Sequence, residues 1–370
     1  MTFLILVIIN LLLRPVSFEW VHREEQIPIQ SASFLSPAEA NLAEAVYQLS
    51  FSGAPATYRL LYLGNSQAYT LLNPGSQDLI APQWLQILLA RQEAQIEIRL
   101  VVLPDLAMSE FLIEILAAGE SDLPVEAVIG GLSLRRVTRE NAIRPQVLAL
   151  LDAPTVGDRL DELVRSNPDL PLAAAVLSGV ELSDSTASQT LWRPAWEAAF
   201  DRWLSDLFPL VEKHADLREA LGLDLILARN RLFGVTSASS RRLSAASYRT
   251  NLELLELSMR YARSRGIRVI LTLAPVRPQQ PNPIQPEDIQ RFQHDLSPLV
   301  ERNGALFFDY TALLSEEYWG NLPANDLSGF GGQPDFYHFN GEGHYRLAEQ
   351  LLQDAGPWLR DWAAEKENKP

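Results

Sequence analysis

Apolar and polar positions along this chain change period several times, and each change predicts an element. Tyr58 to Leu63 is a short apolar run that stops at Gly64, the signature of a buried strand. Ile96 to Leu103 alternates and then turns wholly apolar, a second strand. Val125 to Ile129 is a third, closed by Gly130 and Gly131. Helical patterns lie between them, over Gln67–Leu72, Trp84–Ala90 and Met108–Ala118. Strands separated by helices at this spacing predict βαβ units and a parallel sheet.

The rhythm breaks from about residue 142 to 247, which reads mostly as helices and polar loops. Trp192, Trp196, Phe200, Trp203 and Phe208 recur there at near-helical spacing, best read as a packed amphipathic face. The α/β pattern returns at Thr250. Leu252, Leu255, Met259 and Ala262 share a helical face, with Arg263 and Arg265 in the last turn and Gly266 at the C-cap position. Ile267–Leu273 is a fourth strand, Glu287–Val300 a helix, and Ala305–Phe308 a fifth strand ending in Asp309. Gly341–Trp358 is the closing helix. No internal repeat is visible.

At the N-terminus, Thr2–Leu13 is almost wholly apolar and Arg14-Pro15 follows. The run is shorter than the roughly 20 residues that span a bilayer. It is read as a membrane anchor over 1–20, with a core helix or strand of a soluble domain as the alternative. Arg14 and Arg23 after the run favour a cytoplasmic body on charge asymmetry. Residues 21–50 read as a connector and a helix opened by Ser36-Pro37-Ala38-Glu39. Residues 51–370 form the α/β domain, with the helical segment 142–247 inserted.

Composition narrows the function. At 370 residues and 47% hydrophobic, the chain can bury a large core. A net charge of −15 disfavours nucleic acid as a partner. The absence of cysteine removes thiolate catalysis and cysteine metal sites. No His, Asp and Glu grouping has metal-ligand spacing, and the acyl chemistry read below needs neither metal nor cofactor.

Two segments carry candidate chemistry. Ser66 sits in Tyr62-Leu63-Gly64-Asn65-Ser66-Gln67, in the turn after the first strand. Asp335-Phe336-Tyr337-His338 places an acid three residues before a His, ahead of the last helix. A serine hydroxyl is a weak nucleophile until a His accepts its proton, and a carboxylate must hold that His in the right tautomer. The bland alternatives are a Ser that caps a helix and an Asp and His on a surface loop. His344 is a rival base, better read as a packing residue. Arg277 and Arg135 follow strand ends, where open α/β sheets bind ligands. They are candidates for an anionic part of a substrate, with ion pairing as the alternative.

Gly64-Asn65-Ser66 after the first strand, with Asp335-x-x-His338-Phe339-Asn340-Gly341 before the last helix, resembles the SGNH (GDSL-like) hydrolase superfamily. The likeness covers Tyr58–Arg136 and Asn251–Leu352. It implies a three-layer α/β/α sandwich with a mostly parallel five-stranded sheet. It implies Ser66 as nucleophile, His338 as general base, Asp335 as the orienting acid, and oxyanion donors after the second and third strands. Two positions depart from that pattern. Leu103-Pro104-Asp105 lacks the glycine, and Gly131-Leu132-Ser133 carries a Ser where an Asn would stand. The apolar start, the helical insertion and the Asp-x-x-His-Phe run are similar to a membrane-anchored envelope branch active in alginate O-acetylation and teichoic-acid D-alanylation. That likeness implies acylated cell-surface polysaccharide as substrate, a membrane-bound O-acyltransferase as partner and an extracytoplasmic body, against the charge asymmetry. The alternative function is a non-catalytic scaffold that binds glycan or assists such an acyltransferase.

Overall fold

A computed structural model of the chain describes residues 58–69, 71–72, 78–92, 94, 96–103, 106–121, 125–137, 141, 143–178, 230, 232–239, 244–279, 282–322 and 332–367. The expected anchor, the connector and helix over 21–50, and the aromatic stretch Trp192–Phe208 lie outside these residues. No described helix is long and apolar enough to cross a membrane.

In chain order the strands are β1 (Tyr58–Gly64), β2 (Ile96–Val102), β3 (Ala127–Leu132), β4 (Arg268–Leu273), β5 (Leu306–Asp309), β6 (Trp319–Asn321) and β7 (Pro334–Phe339). The helices are α1 (Ser66–Tyr69), α2 (Ala81–Arg91), α3 (Met108–Gly119), α4 (Leu134–Val137), α5 (Pro145–Leu148), α6 (Pro154–Ser166), α7 (Pro171–Ser178), α8 (Ala245–Ser264), α9 (Pro286–Asn303) and α10 (Gly341–Glu367). The described residues fall into two units. The larger, drawn from Gln30–Val180, Ser237–Asn321 and Pro334–Pro370, holds all of these elements. The smaller takes in Leu322–Gln333, where Leu322 N–H donates to the Gln333 carbonyl.

Five strands form one sheet in the order β2-β1-β3-β4-β5, and all four pairings are parallel. The fold is therefore a three-layer α/β/α sandwich. Side chains alternate along β1 as a sheet buried on both faces requires. Leu61 and Leu63 enter the core shared with α3, α8 and α9, while Leu60 and Tyr62 enter the core shared with α2 and α10. The first core is deep enough that every residue of α3 is buried.

β3 runs through the two glycines expected to end it. At Gly130 a Cβ would stand 2.7 Å from the ring of Phe111, so the missing side chain lets α3 lie on the sheet. Gly266 has φ 72, the left-handed C-cap position that its sequence predicts after α8. The closing helix is longer than expected. It continues past Pro357 and Trp358 to Glu367, because Leu359, Trp362 and Ala363 still meet the core.

The Asp335–His338 segment is a strand rather than a loop. β7 pairs antiparallel with β6 in a two-stranded sheet of its own. It meets the segment that follows Ser66 through a parallel bridge between Leu71 and Phe339, and through the Leu72 N–H to the Phe339 carbonyl at 3.1 Å.

Candidate active site

Strand order reverses between β1 and β3, since β2 and β3 flank β1 on opposite sides. Open α/β sheets hold ligands in the crevice outside the strand ends at such a switch point. Ser66 stands there, two residues past Gly64 at the end of β1. The local fold follows from three residues. At Gly64 a Cβ would lie 2.5 Å from the Cβ of Ala68, so only a bare α-carbon permits this tight strand-to-helix turn. The Asn65 side-chain oxygen accepts the Gln67 N–H at 2.9 Å, and its carbonyl accepts the Ala68 N–H at 2.9 Å. The Asn side chain thus caps α1. Ser66, the residue that could have been only a cap, is left to turn its hydroxyl elsewhere.

That hydroxyl meets His338. Ser66 Oγ and His338 Nε2 are 3.1 Å apart, and His338 Nδ1 and Asp335 Oδ2 are 2.8 Å apart. The second Asp335 oxygen accepts the backbone N–H groups of Tyr337 at 2.8 Å and His338 at 3.1 Å. Asp335 is 1% exposed. Burial alone would push its carboxyl up. The His338 hydrogen bond and charge and the two backbone donors outweigh burial, and the carboxyl titrates below its ordinary value. An ionised carboxylate on Nδ1 keeps the Nδ1 proton in place and leaves the Nε2 lone pair facing the hydroxyl. Carboxylate, imidazole and hydroxyl thus stand in one line of contacts.

Gly131 lies against the turn that carries Ser66. A Cβ there would meet the Leu63 carbonyl at 3.5 Å and the Gly64 Cα at 3.9 Å. Ser133 follows β3 and opens α4, its carbonyl accepting the Val137 N–H. The Ser66 N–H is in the first turn of α1, where a helix leaves its amides without an intrahelical acceptor. Pro104 and Asp105, where the resemblance calls for a glycine, lie outside the described residues.

The two arginines part company. The Arg135 guanidinium lies over the ring of Tyr337, 4.9 Å from its centroid, and so borders the strand that carries Asp335 and His338. Arg277, expected as a holder of substrate anions, is 7% exposed and its guanidinium is committed. Its Nε donates to Glu316 at 2.9 Å, and Nη2 pairs with the same carboxylate. Nη1 donates to the carbonyls of Gly320 at 2.6 Å and Asp335 at 3.0 Å. The acceptors an incoming anion would replace are the protein's own. His344, the rival base, is fully buried; its Nδ1 accepts the Ala81 N–H at 3.1 Å and its ring packs on Phe339. It belongs to the core.

Sequence reasoning passed over Gln67 and Glu316. The Gln67 side chain donates to the Pro275 carbonyl at 2.7 Å and ties the Ser66 turn to the loop after β4. Nothing local in the sequence marks either residue, because their partners lie far along the chain. Among the described residues no group of acids and histidines could hold a metal ion.

No protein-family model matches the chain, and no curated protein matches it. Among solved structures the chain is similar to the crystal structure of TesA. The two are 13% identical with a TM-score of 0.38, over 81% of this chain and 98% of that one. The chemical reading therefore rests on the site's own geometry.

Proposed function

We propose that this protein is a serine esterase or O-acyltransferase that works through an acyl-Ser66 intermediate. The observation that carries the reading is the unbroken contact line from Ser66 Oγ through His338 to buried Asp335. In the first half-reaction Ser66 Oγ bonds to the acyl carbon and its proton passes to His338 Nε2. As the tetrahedral intermediate collapses, the ester C–O bond breaks and His338 returns the proton to the departing alcohol. In the second half a water or a sugar hydroxyl gives its proton to Nε2 as its oxygen bonds to the acyl carbon; the acyl–Ser66 C–O bond then breaks and His338 returns the proton to Ser66 Oγ. Water as acceptor makes the reaction hydrolysis; a hydroxyl makes it transfer. The backbone N–H of Ser66, Gly131 and the Ser133 hydroxyl are the groups we assign to the oxyanion side, and Arg135 to an anionic part of the substrate.

The finer reading names acyl esters of cell-envelope polysaccharide as substrate, with a membrane-bound O-acyltransferase as partner and an extracytoplasmic body. It is supported by the resemblance to the envelope branch and by the apolar run Thr2–Leu13. One observation favours a second reading. With Ser133 in place of the amide donor, the oxyanion side is thin, and a lost donor costs about a hundredfold or more in rate. A scaffold that binds glycan without turning it over would tolerate that loss.

A fluorophosphonate, which reacts only with an activated serine, separates the two. An adduct on Ser66 that disappears in His338→Ala is expected. A folded protein with no adduct on Ser66 refutes the catalytic reading and leaves the scaffold.

A further inference from the structure

The triad is assembled from two sheets that share no strand ladder. Ser66 follows β1 of the five-stranded sheet, while Asp335 and His338 ride on β7 of the two-stranded one. The isolated bridge between Leu71 and Phe339 links them, but it lies beyond His338 and does not reach the Asp335 end of β7. That end needs its own anchor, because a misplacement of about 1 Å can cost about a hundredfold in rate.

We infer that Arg277 is the positioning residue that holds the acid–base strand in reach of the nucleophile, with the 275–277 loop as the shared reference for both halves. The inference rests on the serine-triad reading above. The loop leaves β4 at the strand-end edge of the main sheet. At one end of it the Pro275 carbonyl accepts the Gln67 side chain at 2.7 Å, one residue past Ser66. Two residues on, Arg277 Nη1 donates to the carbonyl of Asp335, the triad acid itself, at 3.0 Å. The same nitrogen donates to Gly320 on β6 at 2.6 Å, so one guanidinium holds both strands of the hairpin. Its other edge is clamped by Glu316, just ahead of β6, and its face lies 5.8 Å from the ring centroid of Phe336. The planar fork is what allows one side chain to meet three acceptors in two directions, and a lysine lacks that geometry. Charged hydrogen bonds to buried carbonyls are also costly to leave unmade. The bridge between Leu71 and Phe339 fixes the far end of β7, beyond His338. Arg277 fixes the end that carries Asp335.

The test uses the full chain and three variants, Arg277→Met, Arg277→Lys and Glu316→Gln. Three readouts are taken: kcat and KM on p-nitrophenyl acetate, the rate of fluorophosphonate labelling at Ser66, and the His338 Nδ1 chemical shift by nitrogen-15 NMR. For Arg277→Met we expect kcat and the labelling rate to fall together by about tenfold or more. KM should stay within about twofold, because an anchor of the acid–base strand is not a substrate contact. The Nδ1 shift should move, and Arg277→Lys should recover part of each change. A folded Arg277→Met with wild-type kcat, or with an unmoved Nδ1 shift, overturns the inference. Glu316→Gln keeps the size and hydrogen-bonding shape of a half-exposed side chain, so it decides the matter if Arg277→Met does not fold. Wild-type values for all its readouts overturn the inference as well. If wild-type protein shows no Ser66 adduct, the triad reading fails on its own, while the Nδ1 shift still judges whether Arg277 positions His338.

Discussion

His338 Nε2 lies 3.1 Å from Ser66 Oγ, although 272 positions separate the two residues in the chain. Contact at that range, with a buried carboxylate on the far ring nitrogen, makes the pair a unit rather than two polar neighbours. Substitutions within such a unit are strongly non-additive. Ser66→Ala and His338→Ala should each reduce ester turnover to background, and the double variant should be no worse than either single one. Both should melt within a few degrees of wild type, since Ser66 and His338 are only partly buried. Turnover near wild type in Ser66→Ala would exclude the acyl-Ser66 route.

Asp335→Asn should keep the fold and lose the chemistry. The Asn oxygen can still accept from the Tyr337 and His338 backbone, but its amide can only donate toward Nδ1. His338 is then held in the wrong tautomer, with an expected loss of about 10³–10⁴ in kcat. The same variant has a signature in stability. The folded-state carboxyl titrates below its ordinary value, so its ionised form stabilises the protein above the unfolded value near pH 4. That contribution is lost as pH falls through the lower folded value. Urea denaturation should find the wild type more stable than Asp335→Asn at pH 7, with the gap closing as pH falls below the unfolded value and through the lower folded one. A gap that stays constant with pH would show that the contribution does not come from the ionised carboxyl.

Gly64→Ala tests the turn that presents the nucleophile. Its new Cβ would lie 2.5 Å from the Cβ of Ala68, and neither atom can rotate away, so the backbone of the turn must give. Overpacking of this kind costs about 1–3 kcal/mol. Because Ser66 lies between the two positions, kcat should fall further than the stability loss suggests. Adding Ala68→Gly removes the clash and should restore much of both. Failure of Ala68→Gly to rescue either property would place the constraint elsewhere.

These residues also mark where local sequence informs and where it does not. Ser66 was legible because a strand that ends in Gly-Asn-Ser announces its turn within a few positions. The Asp-x-x-His spacing was legible for the same reason: Asp335 accepts the backbone N–H groups two and three residues on, at Tyr337 and His338. The strand beneath them was not. Pro334–Phe339 shows no clean alternation, and its ladder partner is three-residue β6, with a single bridge to Leu71 besides. Long-range contacts hold it, including an arginine 58 positions away. Arg277 itself reads as a candidate anion ligand until its acceptors are seen. The parallel sheet followed from period alone, but Gly130 misled. A glycine inside a strand looks like a stop unless the Phe111 ring that occupies its space is known.

Glu114 supplies a prediction away from the site. It lies on α3, fully buried, and neither carboxyl oxygen has a hydrogen-bond partner among the described residues. Burial first, and then the Glu110 charge one turn earlier, push its carboxyl up to about 8, against a smaller pull from Arg144. Glu110 is not in the same position. It accepts the Ala107 N–H at 2.9 Å, the Arg144 N–H at 2.9 Å and the Arg144 guanidinium at 3.0 Å. Glu114 is therefore protonated when folded at neutral pH and ionised when unfolded. In that window the unfolded chain binds fewer protons, so stability falls as pH rises from the unfolded value near 4.5 to about 8, then levels off. The cost at pH 7 is on the order of 3 kcal/mol. Glu114→Gln keeps the shape and cannot ionise. It should be more stable than wild type at pH 7–8, and the advantage should vanish near pH 4–5. Denaturation midpoints across that range decide it: a variant equal to wild type at every pH would mean that Glu114 finds a partner on folding and carries no penalty.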